Sequence, residues 1–141
     1  MEKIKSSLIA LELATKAHEG MVDRGGKPYI NHPIAVASMV KSEKEKTVAY
    51  LHDVVEDTNV PIEKIYELFG ETVGDAVALL THDKNEPYMD YVKRVKANPV
   101  ARAVKMADLT NNMDLSRLEK VTDNDVKRVE KYKRAYKILS D

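Results

Sequence analysis

Helical periodicity runs through almost every segment of the chain, and no segment alternates apolar and polar residues as a half-buried β-strand would. In the first segment, Ile4, Leu8, Leu11 and Thr15 recur at helical spacing up to about His18. Glycines and prolines separate the periodic segments, as they do where helices end and begin. The pattern therefore predicts an all-α protein, a single compact bundle of about seven or eight helices.

Two of the predicted helices begin at polar residues. The polar stretch SEKEK (residues 42–46) is expected to start a helix that leads into TVAYLHDVVEDT (residues 47–58). The final helix is expected to start at a cap near Thr122 or Asp123. It should bury one stripe of apolar side chains: Val126, Val129, Tyr132, Tyr136 and Leu139.

Composition narrows the class of protein. The chain has 141 residues, which suits one domain over residues 1–141, and it has no cysteine, which excludes disulfides and thiolate zinc sites. Its 23 basic and 23 acidic residues cancel, which argues against nucleic-acid binding driven by bulk charge. Neither a signal-peptide pattern nor an apolar run long enough to span a membrane is present. We therefore expect a cytoplasmic protein without a nucleic-acid or membrane partner, whose oligomeric state the sequence leaves open.

The stretch YLHDVVEDTNV (residues 50–60) places one imidazole and three carboxylates among apolar residues. Glu56 follows His52, and Asp57 follows Asp53, at i+4 spacing, so each would lie one helical turn above its predecessor. Carboxylates this close repel one another unless a cation or a proton offsets their charge. The competing interpretation is a hydrogen-bonded core histidine and an acidic pair that ends the helix, although carboxylates at a helix C-terminus oppose the helix dipole.

Two further segments offer side chains of the ligand type. His32 stands at the start of a helix, where it can reach a site or simply cap the helix. Asp108 lies on an apolar helix face with Asn112 at i+4, and a buried aspartate needs a cation or a hydrogen-bond partner. Such a mixed nitrogen and oxygen set suits Mn²⁺, Fe²⁺ or Zn²⁺ better than Ca²⁺. The predicted ligands are His32, His52, Asp53 and Asp108.

The order of these residues resembles the H…HD…D pattern of the HD-domain metal-dependent phosphohydrolases. More closely, the stretches PYINHPIAVA, YLHDVVEDT and VKMADLTNNM resemble, in the same order, motifs of the hydrolase domain of the RelA/SpoT alarmone enzymes and their single-domain relatives. Together these motifs extend the resemblance over nearly the whole chain.

The resemblance implies a fold, an ion and a reaction. The four ligands would bind one Mn²⁺, Glu56 and Asp57 would position and deprotonate the attacking water, and Asn112 would contact the nucleotide sugar or order the site. The substrate would be a small nucleotide, guanosine tetra- or pentaphosphate, from whose 3′ position pyrophosphate is released.

The substrate loop departs from the alarmone pattern. Where those enzymes usually carry an Arg-Lys pair, this chain has Asp23 and Arg24, with Lys27 as a candidate replacement beyond two glycines. Arg24 could stack on a base or fork onto a phosphate, or the loop could be a solvated surface turn. Leu115 stands where the family usually has a hydroxyl residue. Three functions therefore stay open: this pyrophosphohydrolase, a phosphohydrolase for another phosphorylated nucleotide, and a nucleotide-binding regulatory module without turnover.

Overall fold

The computed structural model describes residues 4–116 and 118–141, and it confirms the prediction of an all-α protein. One antiparallel bridge, between Val22 and Pro28, is the only β-pairing among the described residues. None of the described helices combines the length and the apolar character that crossing a bilayer requires. The helical segments of this part of the chain are α1 (Ser6–Ala17), α2 (Asn31–Ser38), α3 (Glu43–Leu51), α4 (Val54–Asp57), α5 (Ile62–Phe69), α6 (Glu71–Leu80), α7 (Tyr88–Lys96), α8 (Pro99–Asn112) and α9 (Asp123–Ser140).

Side-chain caps set where three of the helices begin. Ser42 and Glu45 form a reciprocal capping box at the start of α3, and Thr122 and Asp125 form another at the start of α9. The Asn98 side chain accepts hydrogen bonds from two backbone N–H groups at the start of α8. A cap of this kind contributes about 1 kcal/mol, so these boundaries are specified locally.

Helices α3 and α8 form the centre of the core. Helix α3 packs against α1, α2, α6 and α8, and α8 packs also against α2, α6, α7 and α9. Val48 and Leu51 of α3, like Val104 and Leu109 of α8, have no exposed surface. Burying each of these side chains contributes about 1.5–3 kcal/mol. Asp108 lies on α8 and His52 and Asp53 directly follow α3, so the packing of these two helices brings these candidate ligands together.

The helix predicted through residues 42–58 is interrupted at His52 and Asp53. Helix α3 ends at Leu51 and α4 starts at Val54, with Asp53 at φ −106° and ψ −4° between them. Neighbouring side chains on a regular helix point about 100° apart. The interruption brings His52 Nε2 and Asp53 Oδ2 to within 3.1 Å of each other.

The buried stripe predicted for α9 is wrong at its first member. Val126 is 49% exposed, whereas Asp125 is only 6% exposed. The capping box explains the difference, because it turns Asp125 inward to bond the start of its own helix. At the other end of α9, Leu139 is fully buried as predicted.

Candidate metal centre and active site

An open cavity of about 460 Å³ lies between α2, α4, α8, α9 and the loop before α2. Its size is within the range of small-molecule sites. Most of the residues singled out from the sequence line it. They are Asp23, Arg24, His32, Asp53, Glu56, Asp57, Asp108, Asn112 and Leu115.

Four side chains from three segments converge beside this cavity: His32, Asp53 and Asp108 line it, and His52 is buried behind them. His32, His52, Asp53 and Asp108 each offer a ligand atom, and these atoms all lie within 4.8 Å of one another. Oδ1 of Asp108 lies 2.7 Å from Nε2 of His32 and 3.2 Å from Nε2 of His52. The four residues predicted as ligands from the sequence therefore meet at one point.

Hydrogen bonds orient both imidazoles. The Nδ1–H of His52 donates to the Ala49 carbonyl at 2.6 Å, and the Nδ1–H of His32 donates to Oδ1 of Asn111 at 2.6 Å. With Nδ1 donating in this way, each ring in its neutral form would turn the lone pair of its Nε2 towards the two carboxylates. This is the arrangement of histidine ligands whose tautomer is set by a second hydrogen bond. Asn111 was not singled out from the sequence. The asparagine singled out there was Asn112, four residues after Asp108.

The electrostatics of the cluster also fit a cation. Burial opposes a charged imidazole, yet the carboxylates of Asp53 and Asp108 raise the pKa of His52 well above its ordinary value. Burial likewise opposes a charged Asp108, but Lys105 and His52 hold its pKa well below the usual range. The two carboxylates call for positive charge beside them, which a proton on His52 provides in the metal-free protein and a divalent ion would provide when bound.

Lys105 holds the second oxygen of Asp108. Its buried Nζ donates to Oδ2 of Asp108 at 2.8 Å, and it lies 5.8 Å and 5.2 Å from the ring centres of Tyr88 and Tyr91. Asn112 donates to Oδ1 of the same carboxylate at 3.1 Å. Lys105 was not predicted from the sequence. Its position three residues before Asp108 on an apolar helix face could have indicated that the two side chains form an ion pair.

Glu56 and Asp57 both line the cavity, in different surroundings. Oε1 of Glu56 accepts a hydrogen bond from the backbone N–H of His82 at 2.7 Å. Burial, together with the charges of Asp53 and Glu56, raises the pKa of Asp57 to about 6. A pKa of about 6 suits Asp57 to accept a proton as a general base near neutral pH.

The predicted substrate loop has an internal scaffold. Oδ1 of Asp23 accepts hydrogen bonds from the N–H groups of Gly25 at 2.8 Å and Lys27 at 3.0 Å. Gly26 has φ +79°, a conformation that favours glycine. Asp23, which replaces a basic residue of the alarmone pattern, thus shapes the loop. Arg24 lines the cavity, whereas the exposed Lys27 is not among the lining residues.

Two basic side chains that the sequence analysis missed line the cavity from α9. They are Arg128, which also donates to Asp125, and Lys131, whose Nζ lies 4.5 Å from the ring centre of Tyr88. Their i, i+3 spacing places them on one face of α9. The cavity therefore has positive charge on α9 as well as on the loop before α2.

Known proteins share both the sequence and the fold. The HD domain family model matches residues 10–135. Two relatives are named guanosine-3′,5′-bis(diphosphate) 3′-pyrophosphohydrolase MESH1. The one from Danio rerio is 41% identical over 107 residues, or 67% of this chain and 59% of that protein. The one from Homo sapiens is 37% identical over 125 residues, or 78% and 69%.

A bacterial relative and a solved structure extend the comparison. The bifunctional (p)ppGpp synthase/hydrolase SpoT of Escherichia coli is 33% identical over 127 residues, which are 79% of this chain but 18% of SpoT. The chain thus spans about three-fifths of the zebrafish protein and less than a fifth of SpoT. The solved structure is of a metazoan ortholog of SpoT that hydrolyses ppGpp. It superposes with a TM-score of 0.74 at 27% identity, over 99% of this chain and 85% of that one. With a family match across most of its length and the same helical fold, the chain belongs to the HD domain family.

Proposed function

We propose that this protein is a metal-dependent pyrophosphohydrolase that releases pyrophosphate from the 3′ position of guanosine 3′,5′-bis(diphosphate). The observation that carries the proposal is the meeting of a four-residue ligand cluster and an acidic pair in one cavity. The activity named for the MESH1 relatives supports the choice of substrate. The family match over residues 10–135 supports treating residues 1–141 as a single HD domain.

The proposed ion is one Mn²⁺ per chain, held by His32, His52, Asp53 and Asp108. Mixed imidazole and carboxylate donors suit it, and other divalent transition metals fit the same donor set. When bound, such an ion would polarise a phosphoryl oxygen and lower the pKa of a coordinated water.

The chain's own residues move the protons and hold the substrate. Asp57 accepts a proton from the attacking water, whose oxygen bonds to the phosphorus carried by the ribose 3′ oxygen. The bond between that phosphorus and the 3′ oxygen breaks, and the 3′ oxygen takes up a proton. Glu56, held by the backbone N–H of His82, orients the water. Pyrophosphate and a nucleoside 5′-diphosphate are the products.

Positive side chains around the cavity meet the charge of the substrate. Arg24 lies on one side, and Arg128 and Lys131 lie on α9. In a chain of zero net charge, such a local group favours a small anion over a nucleic acid. A cytoplasmic location is part of this proposal, since it follows from the choice of a free nucleotide as substrate.

A second candidate is a phosphohydrolase for another phosphorylated nucleotide. It is favoured by Asp23, which serves the loop scaffold where the alarmone enzymes usually carry a basic residue, and by Leu115, which lines the cavity where they carry a hydroxyl. A binding module without turnover is the third candidate. Glu56 and Asp57 argue against it, since binding alone needs the ligands but not two further acids beside them.

A nucleotide panel distinguishes the three candidates. The purified protein is incubated, with and without Mn²⁺, with guanosine and adenosine 3′,5′-bis(diphosphates) and with the matching 5′-triphosphates, and the products are identified by mass. We expect Mn²⁺-dependent release of pyrophosphate from the guanosine 3′-diphosphate, and release slowed by about 10²–10⁴-fold in an Asp57→Asn control. Turnover of a different nucleotide alone would establish the second candidate, and binding without any product would establish the third.

A further inference from the structure

The hydroxyl of Tyr29 lies between a predicted metal ligand and the proposed general base. It donates to Oδ2 of Asp53 at 2.5 Å, and it lies 3.5 Å from Oδ2 of Asp57. A phenol has one proton to donate, and the shorter distance assigns that proton to Asp53. Tyr29 therefore touches both functional groups of the site without being part of the ligand cluster.

The oxygen that Tyr29 contacts is the one that faces the histidines. Oδ2 of Asp53 lies 3.1 Å from Nε2 of His52 and 3.7 Å from Nε2 of His32. The hydrogen bond from Tyr29 thus fixes the rotation of the Asp53 carboxylate, and so decides which oxygen points into the cluster. Outer hydrogen bonds of this kind set both the orientation and the basicity of a ligand.

Tyr29 is itself held rigidly. Its backbone N–H donates to the carbonyl of Met21 at 2.9 Å, and its carbonyl accepts from the N–H of His32 at 3.0 Å. Its ring centre lies 4.8 Å from that of His18, which is 2% exposed. Neither ring nitrogen of His18 has a hydrogen-bond partner among the described residues, so the observed contact between the two rings is one of packing. A ring packed on one side and anchored through its backbone can hold its hydroxyl in one place.

We propose that Tyr29 is a positioning residue, which holds Asp53 towards the ion through the hydrogen bond from its hydroxyl and limits the position of Asp57 through the 3.5 Å contact of the same oxygen. The proposal rests on the proposed function, from which it takes the metal site and the general base. It connects the two, because the hydroxyl that orients the ligand also limits where Asp57 can lie. It also joins the substrate loop, which ends at Tyr29, to the interruption between α3 and α4.

The first test measures metal binding without substrate. Tyr29→Phe removes only the hydroxyl, and Tyr66→Phe is a matched control, because the Tyr66 hydroxyl donates to Oδ1 of Asp75 at 2.6 Å between α5 and α6, away from the residues that line the cavity. Calorimetric Mn²⁺ titration of the metal-free proteins should show about ten-fold weaker binding for Tyr29→Phe and parental binding for Tyr66→Phe. The Mn²⁺-induced rise in melting temperature gives a second readout that does not need a stable metal-free variant.

The second test asks whether Tyr29 also acts through Asp57. With the substrate identified by the nucleotide panel and Mn²⁺ at saturation, Tyr29→Phe should lower kcat about ten-fold and leave KM unchanged. In an Asp57→Asn background the same substitution should have little further effect on kcat, while it still weakens Mn²⁺ binding. Parental Mn²⁺ affinity in Tyr29→Phe would overturn the positioning role at Asp53, and additive effects on kcat would overturn the role at Asp57. If the protein does not hydrolyse guanosine 3′,5′-bis(diphosphate), the Mn²⁺ titration still tests the role of Tyr29 at Asp53, because it uses no substrate.

Discussion

Glu56 and Asp57 show how two adjacent carboxylates acquire different properties. One oxygen of Glu56 accepts a hydrogen bond from the backbone N–H of His82. Asp57 lies near the Tyr29 hydroxyl and the charge of Asp53, where its pKa is raised to about 6. The sequence alone left the choice of general base open, and the surroundings favour Asp57.

Asp57→Asn should therefore cost more turnover than Glu56→Gln. Removing a positioned base lowers kcat by about 10²–10⁴-fold. Glutamine at position 56 keeps an oxygen that can accept from His82, so a smaller loss is expected there. Steady-state kinetics with metal analysis of each variant provide the measurement. A Glu56→Gln variant that is the slower of the two would reverse the assignment.

The pH profile gives an independent check on Asp57. Its pKa is raised, so the proton-accepting form disappears as the pH falls through about 6. A bound cation that offsets the charge of Asp53 would move this limb to lower pH. The rate of the parent should thus fall on the acid side of about pH 6 or below, and the residual rate of Asp57→Asn should lack that limb. A limb that persists in Asp57→Asn would identify another group as the base.

At the scale of one element, α8 arranges polar partners around a single carboxylate. Lys105, three residues before Asp108, donates a hydrogen bond to Oδ2 of Asp108. Asn112, four residues after Asp108, donates to its Oδ1. Lys105 and Asp108 lie within the apolar core. Removing either partner of a buried ion pair leaves the other charge uncompensated and destabilises the fold. The helix thus presents one oxygen of Asp108 to the cluster and withholds the other.

Lys105→Met should destabilise the metal-free protein by about 3–5 kcal/mol, because it leaves the buried charge of Asp108 without its partner. With Mn²⁺ bound the loss should be smaller, since the ion offsets part of that charge. Urea unfolding with and without Mn²⁺ measures both values. Lys16→Met serves as a control, because Lys16 pairs with Glu12 on the exposed face of α1 and its loss should change little. Equal losses with and without Mn²⁺ would show that Lys105 acts independently of the metal site.

The loop before α2 makes a prediction about substrate affinity. Arg24 lines the cavity, so Arg24→Ala should raise KM about ten-fold, or about 1.4 kcal/mol, without changing Mn²⁺ affinity. Lys27→Ala is the matched change in the same loop, and its effect should be smaller because Lys27 lies outside the lining. Measuring KM and Mn²⁺ affinity for both variants tests this expectation. An unchanged KM for Arg24→Ala would show that Arg24 does not bind the substrate, and would assign the binding of its negative charge to Arg128 and Lys131.

At the scale of the whole molecule, the cluster of predicted ligands joins parts of the chain that are distant in sequence. It takes His32 from α2, His52 and Asp53 from the interruption after α3, and Asp108 from α8. An ion that binds only the folded state stabilises the whole domain by mass action. A bound ion would therefore stabilise the packing of three segments of the chain in addition to its role in catalysis.

Chelation should lower the melting temperature. Compared with Mn²⁺ at one hundred times its Kd, metal removal costs about 2.7 kcal/mol, or roughly 5–10 °C for a chain of this size. Differential scanning calorimetry with and without EDTA measures the shift. His32→Ala should abolish the Mn²⁺-dependent part of it. If His32→Ala retains the full shift, the ion binds elsewhere.

The sequence by itself determined the all-α class, the start of the final helix at Thr122 or Asp123, and the list of predicted ligands. These features are encoded locally, by helical periodicity and by short-range capping. The ligands stood out because polar side chains in apolar helical segments need partners there. Motif order then pointed to the family, which the comparisons confirm.

Tertiary structure decided which distant side chains meet. The bond from Tyr29 to Asp53 spans 24 positions, and that from His32 to Asn111 spans 79, so neither leaves a periodic trace in the sequence. The position of Arg128 at the cavity likewise depends on how α9 packs against α7 and α8. The physical reason is range: a helix is specified by residues three or four apart, whereas a site is specified by the packing of whole helices.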